Sequence, residues 1–518
     1  AANWDTGSVP TSSDDVIIPD TSSINDCVLD GDRTINSLQI QGNGSFSMND
    51  HDLTIAGENS SGRALDIGNS TVTFVGGTGT LIFTLGSGAT LLVGTQHLTA
   101  STELRNVQFN GAATFVLGGA MTVNGNLTIS AGTLSTSGDN NYDLTVTGAL
   151  ANDGTLTLNG FTVNLGSTSA EAGDVTGSGT FNLDTSTINF HTASGANFIP
   201  STSANFDTNT STLNLIGLNG SNRAHNFNFA SGNMHNITTS RGAGTDTHTE
   251  TLNGNCTITG DLTVGANSIF DTGSDRDLTV TGTTDVTGTL TCNASTVSLG
   301  SGKSDGYALT GGGTVNFGTG TNTVGAVNTT SASGITKTSG TITFDTTKTG
   351  GQSIGPNVSN NSSHFNFGTS TVNFDLSGGF GSLFGIEQHL GSSKTFTITA
   401  ATVNFKSNGR IYQNSADTNI FKIIGDLVID ASKTLTTYFD NADDFGSKLE
   451  VTGDVTLNGT LNAYSASNPK PMDFGSLKVA SGGTYEATSG TTTLSKEADT
   501  GGTDFMFHND GTFNHNDG

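Results

Sequence analysis

Apolar and polar positions alternate along most of this chain. A five-residue phrase, in which a small residue and Thr precede an apolar, polar, apolar triplet, recurs at 70–74 (STVTF), 179–183 (GTFNL), 186–190 (STINF), 211–215 (STLNL), 295–299 (STVSL), 313–317 (GTVNF), 340–344 (GTITF), 370–374 (STVNF) and 401–405 (ATVNF). A period of two marks a half-buried β-strand. From 295 onward the phrases start 18, 27, 30 and 31 residues apart, a range that predicts one or slightly more than one solenoid coil between them.

A longer unit overlies the phrase. Residues 125–156 (GNLTISAGTLSTSGDNNYDLTVTGALANDGTL), 260–290 and 425–461 share one grammar, and Leu144 and Leu156, Leu278 and Leu290, and Leu449 and Leu461 each stand twelve residues apart. DLTIAG at 52–57 is a shorter echo. A single coil cannot bury its apolar side chains, whereas coils stacked above and below share a continuous interior. The predicted fold is therefore all-β: a parallel β-solenoid, an elongated rod of stacked imperfect repeats. Stacking at about 4.8 Å per coil gives a length on the order of 100 Å. Parallel crossovers are overwhelmingly right-handed, so the expectation is a right-handed β-helix. An antiparallel sandwich array would leave regular two-residue turns, which the uneven spacing argues against.

Residues 1–30 read as an N-terminal cap and first coil, and 31–518 as the solenoid, with the long repeats near 121–165, 256–299 and 421–463. Loops are expected near 191–209, 350–364 and 464–473. The six prolines (10, 19, 200, 356, 469 and 471) stand outside the strand phrases, as residues that cannot donate to a ladder should. Asn124-Gly125, Asn253-Gly254 and Asn458-Gly459 are expected corners that use positive φ. Gly and β-branched residues interrupt every candidate helical window.

Composition supports repetition. The 518 residues include 71 Gly, only 12% are charged and 32% are hydrophobic, fewer apolar side chains than a thick globule of this length needs. The recurring Val, Ile, Leu and Phe argue against a disordered chain. The formal net charge of −27 repels phosphate backbones and anionic headgroups, so no nucleic acid partner and no membrane insertion is expected. Cys27, Cys256 and Cys292 are too few and too scattered for a disulfide framework. The Ala-Ala start is what signal cleavage leaves, which fits a mature secreted chain.

The opening ANWDTGSVPTSSDDVIIP, where Trp4 and a Pro-x-x-x-Asp-x-Val-x-Ile phrase lead into the first coil, looks like the start of a secreted repeat region. The run from STLNL (211–215) through HNFNFASGNMHNITTS (225–240) to GDLTV and GTL is similar to the internal unit of such regions. In these features the chain resembles the tandem-repeat, β-solenoid-like regions of large bacterial secreted and surface proteins, including autotransporter-like adhesins. A bacteriophage fibre is a second setting in which related repeats could sit. The resemblance implies a secreted, surface-exposed protein and carries over no catalytic residue.

Candidate chemistry is sparse. Gly302-Lys303-Ser304-Asp305-Gly306 matches G-x-S-x-G, yet no helix follows to form the elbow that exposes the serine. Position 297 is Val, so a phosphate-binding loop lacks its first glycine. Ten single histidines give no zinc spacing and read as solvated or stacked, His508 and His515 as repeat positions in FxH phrases. Asp139 and Asp143, Asp275 and Asp277, and Asp440, Asp443 and Asp444 fall at equivalent places in the three long repeats. They are the candidate Ca²⁺ ligands, with Asx turns before a strand as the competing reading. No other cofactor is expected.

These features point to an extracellular structural or adhesive protein, a segment or subunit of a surface fibre or filament, without catalysis. Expected partners are a second copy stacked end to end or the continuation of a longer chain, and a glycan or cell-surface target. The alternative is a glycan-binding or glycan-cleaving β-helix, such as a tailspike-like phage protein, because paired carboxylates on one face suffice for cleavage. Against it, 29 of the aromatics are Phe and only one is Trp, which leaves few sugar platforms.

Overall fold

Short alternating segments form short strands that pair in parallel. The computed structural model describes residues 4, 7–20, 27–67, 72–86, 90–93, 102–136, 142–169, 171–192, 195–201, 205–218, 223–228, 233–241, 246–329, 334–345, 354–356, 363–375, 385–388, 395–413, 420–437, 448–463, 469–496 and 505–516. Among them every ladder between named strands for which a register is resolved is parallel, there is no α-helix, and no helix is long and apolar enough to cross a membrane. The chain divides into two compact units, 1–256 and 257–518, and each is a parallel β-solenoid.

In the first unit each coil contributes strands to three faces. The first face runs from Arg33–Ile35 through Leu53–Ile55, Thr80–Phe83 and Asn106–Leu117 to Leu127–Ser135 and Leu150–Asn152. A second starts at Asp15–Ile18 and climbs through Ser37–Ile40 and Arg63–Ile67 to Thr155–Thr157 and Thr180–Asn182. A third includes Met121–Val123, Leu144–Val146, Thr162–Leu165, Thr187–Thr192 and Thr212–Gly217. The expected loop at 191–209 thus holds strand at both ends, Thr187–Thr192 and Asn205–Asp207.

The second unit repeats the plan internally. Its first face includes Ser268–Asp271, Thr289–Thr291, Thr314–Asn316 and Ile335–Thr336. The second includes Leu278–Val280, Val297–Leu299, Asn322–Val324, Thr341–Asp345 and Thr371–Asp375. The third includes Thr284–Val286, Leu309–Gly311, Val327–Thr329 and Ile354–Pro356. Coils vary in length, from 18 residues between the paired Leu309 and Val327 to 33 between Ser363 and Phe396. Pro356 is the one described proline inside a strand, and it is that strand's last residue, where ladder donation ends.

Faces, not coils, carry the sequence repeat. STVSL and GTVNF, 18 residues apart, lie on the second and first faces, and the 27-residue step to GTITF changes face again. Only the 30- and 31-residue steps from Thr341 to Thr371 to Thr402 each span one coil, so the first two spacings are not coil lengths. The twelve-residue ruler behaves the same way. Leu144 lies on the third face of its unit and Leu156 on the second, Leu278 on the second and Leu290 on the first, Leu449 on the first and Leu461 on the third. Twelve residues always carry the chain past one face to the next, wherever the unit begins.

The phrase has a physical meaning at each position. In STINF, Ser186, Ile188 and Phe190 are buried while Thr187 and Asn189 are half-buried. The small residue is small because it points inward at a corner, where Ser186 Oγ donates to Leu158 O at 3.0 Å. Two residues earlier stands a residue with positive φ: Asp184 (47°), Asn209 (31°), Asn293 (48°) or Gly368 (51°). In each case the Ser N–H closes a turn, as Ser186 N does on Leu183 O at 2.9 Å. Asp, Asn and Gly tolerate that φ best, so they begin the corner.

The expected Asn-Gly corners are glycine for another reason. Neither residue of Asn124-Gly125, Asn253-Gly254 or Asn458-Gly459 is among those with positive φ. A Cβ on Gly125 would come within 2.2 Å of Arg105 O, and one on Gly459 within 2.3 Å of Asp430 O and Lys433 O. The neighbouring coil leaves no room for a side chain there. Positive φ is used instead by Asn159-Gly160, at 41° and 87°.

Inside, the terminal Phe of successive phrases stack. Phe344, Phe374 and Phe405 form one file with centroids 5.4 and 5.0 Å apart. Phe181 and Phe206 in the first unit lie parallel at 4.7 Å. Outside, the amides of Asn164, Asn189 and Asn214 chain together, Asn189 Nδ2 donating to Asn164 Oδ1 at 2.9 Å and Asn214 Nδ2 to Asn189 Oδ1 at 2.8 Å. Such side-chain ladders need in-register parallel strands, because only then do like residues stack.

Candidate functional site

Of the candidate Ca²⁺ ligands, Asp139, Asp440, Asp443 and Asp444 lie outside the described residues. Asp143 and Asp275 are exposed. Asp277 Oδ1 accepts from Thr296 N of the following coil at 3.1 Å. Other aspartates do the same: Asp52 for Thr80 N at 2.8 Å, Asp174 for Asn197 N at 2.8 Å and Asp261 for Thr283 N at 2.7 Å. A carboxylate placed just before a strand thus caps the backbone one coil on, a role that needs no metal. Among the described residues no three His, Cys, Asp or Glu side chains are grouped to hold an ion.

The G-x-S-x-G segment is a surface turn. Gly302 and Gly306 have positive φ, Ser304 is exposed, and Lys303 Nζ lies 3.7 Å from Asp305 Oδ1. The next element is the strand Leu309–Gly311, so there is no helix to form an elbow. His508 is exposed, stacks edge-on to Phe505 at 5.1 Å and sits 3.2 Å from Asp510. A shallow recess on the first unit is lined by Thr80, Asn106, Val107, Gln108, Asn126 and Thr128, none of them a carboxylate or an imidazole.

The chemically unusual residues are inside, where the sequence reading did not place them. His248 and Glu250 are both buried on the strand His248–Leu252, with Nε2 of the one against Oε1 of the other. Thr192 Oγ1 also faces His248 Nε2, at 3.5 Å. A nucleophile relay needs hydroxyl and carboxylate on opposite nitrogens of the imidazole; here both meet the same one. Gly217 makes the arrangement possible, since a Cβ there would lie 2.5 Å from His248 Cγ. His191, also buried, leaves Nδ1 without a partner among the described residues, and burial pushes its pKa down.

The second unit holds another such group. Lys337 is 3% exposed and Asn322 is fully buried, and Lys337 Nζ donates to Asn322 Oδ1 and Gly320 O, each at 2.5 Å. Burial holds the Lys337 pKa down to about 8 and pushes the Cys292 thiol up to about 12. Cys256 is likewise buried and pushed up to about 12, as small hydrophobes would be. A signal for both groups was present in the sequence: H-T-E-T-L and I-T-K put charged residues at the inward positions of an alternating strand.

No family model matches the chain, and neither a curated protein nor a solved structure matches it. The repeat region is a β-solenoid on its own geometry.

Proposed function

We propose that this chain is an extracellular structural or adhesive protein, a segment or subunit of a surface fibre or filament built from stacked solenoid coils. The observation that carries this reading is the last described coil. Its strands Phe507–Asn509 and Thr512–Asn514 each pair on one side with the preceding coil, and Met506, Phe507 and Phe513 are 41%, 43% and 38% exposed. Phe507 and Phe513 are inward positions of the repeat, and no described coil lies above them. Phe513 already packs on Tyr485 below, at 5.7 Å, as a stacked file would.

An open ladder edge with uncovered apolar side chains is a template for another strand layer. The occupant that fits is a further coil of the same kind, carried by a second copy or by the continuation of a longer chain. Among the described residues the first coil likewise pairs on one side only, Asp15–Ile18 with Ser37–Ile40 and Cys27–Val28 with Ser45–Ser47. The polar outer faces, the inter-coil Asp caps and the inward placement of the reactive groups all serve scaffolding. A surface location is supported by the resemblance to secreted repeat regions and by the acidic, weakly hydrophobic composition.

Sedimentation over a hundredfold range of protein concentration, paired with negative-stain microscopy, tests the reading. The expected result is concentration-dependent growth into filaments one solenoid wide. A monomer at every concentration, with no fibres on the grid, would reject self-assembly.

A further inference from the structure

Lys337 occupies a place that other coils give to uncharged side chains. It follows the first-face strand Ile335–Thr336 of the second unit, as Thr272, Cys292, Phe317 and Phe367 follow theirs. The backbone confirms the column: Cys292 N bonds Asn316 O at 2.8 Å, Phe317 N bonds Thr336 O at 2.8 Å and Lys337 N bonds Asn366 O at 2.9 Å. A charged ammonium in this interior is costly unless it is paired, and its acceptors are a neutral carbonyl and a neutral amide. The amide is itself incompletely used, because Asn322 Nδ2 has no hydrogen-bond partner among the described residues.

We propose that Lys337 and Asn322 form an intramolecular isopeptide bond, a covalent staple between consecutive coils of the second unit. The amine lies 2.5 Å from the carbonyl oxygen of the amide it would attack, and both side chains are held in a water-poor interior. The ammonium first releases one proton to solvent. The lone pair of Nζ then adds to Cγ of Asn322, the Cγ–Nδ2 bond breaks, and the nitrogen leaves as ammonia after taking up a proton from Nζ. No oxidant or cofactor is consumed. A charged amine and an under-bonded amide become one neutral secondary amide, which removes the desolvation cost of the charge.

Burial favours the reactive form. With its pKa held down to about 8, a substantial fraction of Lys337 is the neutral amine near neutrality, whereas an ordinary lysine is almost wholly protonated. The titratable groups acting nearby are the Cys292 thiol, beside Lys337, and Asp271, which acts on Cys292. With the thiol pushed up to about 12, Cys292 stays uncharged through the relevant range. Bond formation during refolding should therefore quicken as pH rises toward 8 and level off above it.

The staple closes a 15-residue span and ties Asn322 on the second face to the start of the next coil. It would stop those coils from unzipping under load. The inference stands whether or not the chain is adhesive or assembles.

Intact-mass spectrometry and tryptic mapping of the full chain test it. The expected mass lies one ammonia below the sequence value, with a branched peptide joining Asn322 to Lys337 and no cleavage after Lys337. Lys337→Arg and Asn322→Ala should each abolish the branched peptide, and Asn322→Asp should form it with loss of water instead. Succinimide formation at an Asn-Gly pair also expels ammonia, so a deficit that persists in Lys337→Arg without a branched peptide overturns the proposal. So does a folded wild-type chain, held at pH 9, that keeps its full mass and is cleaved after Lys337.

Discussion

At the residue scale, the carboxylates that look like metal ligands in the sequence include backbone caps in the structure. Asp277 accepts from Thr296 N of the next coil, and removing the acceptor by Asp277→Ala should cost about 1 kcal/mol in urea denaturation. Asp277→Asn keeps an acceptor oxygen and should stay within roughly 0.5 kcal/mol of wild type. Neither value should change with a calcium chelator; a chelator-dependent loss would return Asp277 to the metal. A similar correction applies to Gly459. Its φ is not positive, so Gly459→Ala should destabilise by steric approach to Asp430 O and Lys433 O, costing roughly 1–3 kcal/mol by thermal melting. Sequence shows that a small residue is needed at such corners. It does not show whether backbone torsion or a neighbouring coil demands it, because the neighbour lies some 20 to 30 residues away in sequence and at van der Waals distance in space.

At the scale of the strand, alternation was enough to fix which side chains face inward. Ile188 and Phe190 are buried as the phrase STINF implies, and Thr187 and Asn189 are not. The phase of the repeat was not legible, since a phrase that suits one face suits all three. That is why STVSL and GTVNF, similar in sequence, lie on different faces. The interior polar groups are not legible from metal spacing or charge count; the parity of His248, Glu250 and Lys337 along their alternating segments is what places them inward. Files of stacked Phe follow from the phase once it is known, and they are long-range contacts with large effects. Phe374 packs between Phe344 and Phe405, so Phe374→Ala should cost about 3–5 kcal/mol, the range for emptying a buried aromatic site. The outward Asn189→Ala breaks two amide hydrogen bonds in a half-buried ladder and should cost about 1–2 kcal/mol. Chemical denaturation of the two variants should therefore separate inner from outer files, and equal losses would contradict the assignment of sides.

At the scale of the molecule, an end coil differs from an inner one only in what covers it. Phe507 and Phe513 occupy inward positions of the repeat, touch each other at 5.4 Å and are exposed because no described coil lies beyond them. An inner phenylalanine replaced by glutamate would bury an unpaired charge and unfold its neighbourhood. At the open edge the same change leaves the carboxylate in water, so Phe507→Glu with Phe513→Glu should alter thermal stability little, by about 1 kcal/mol or less. It should nevertheless abolish assembly, because a second copy would have to desolvate two like charges to stack there. Assembly of the double glutamate chain at wild-type concentration dependence would place the contact elsewhere on the surface and detach the proposed filament from the open coil.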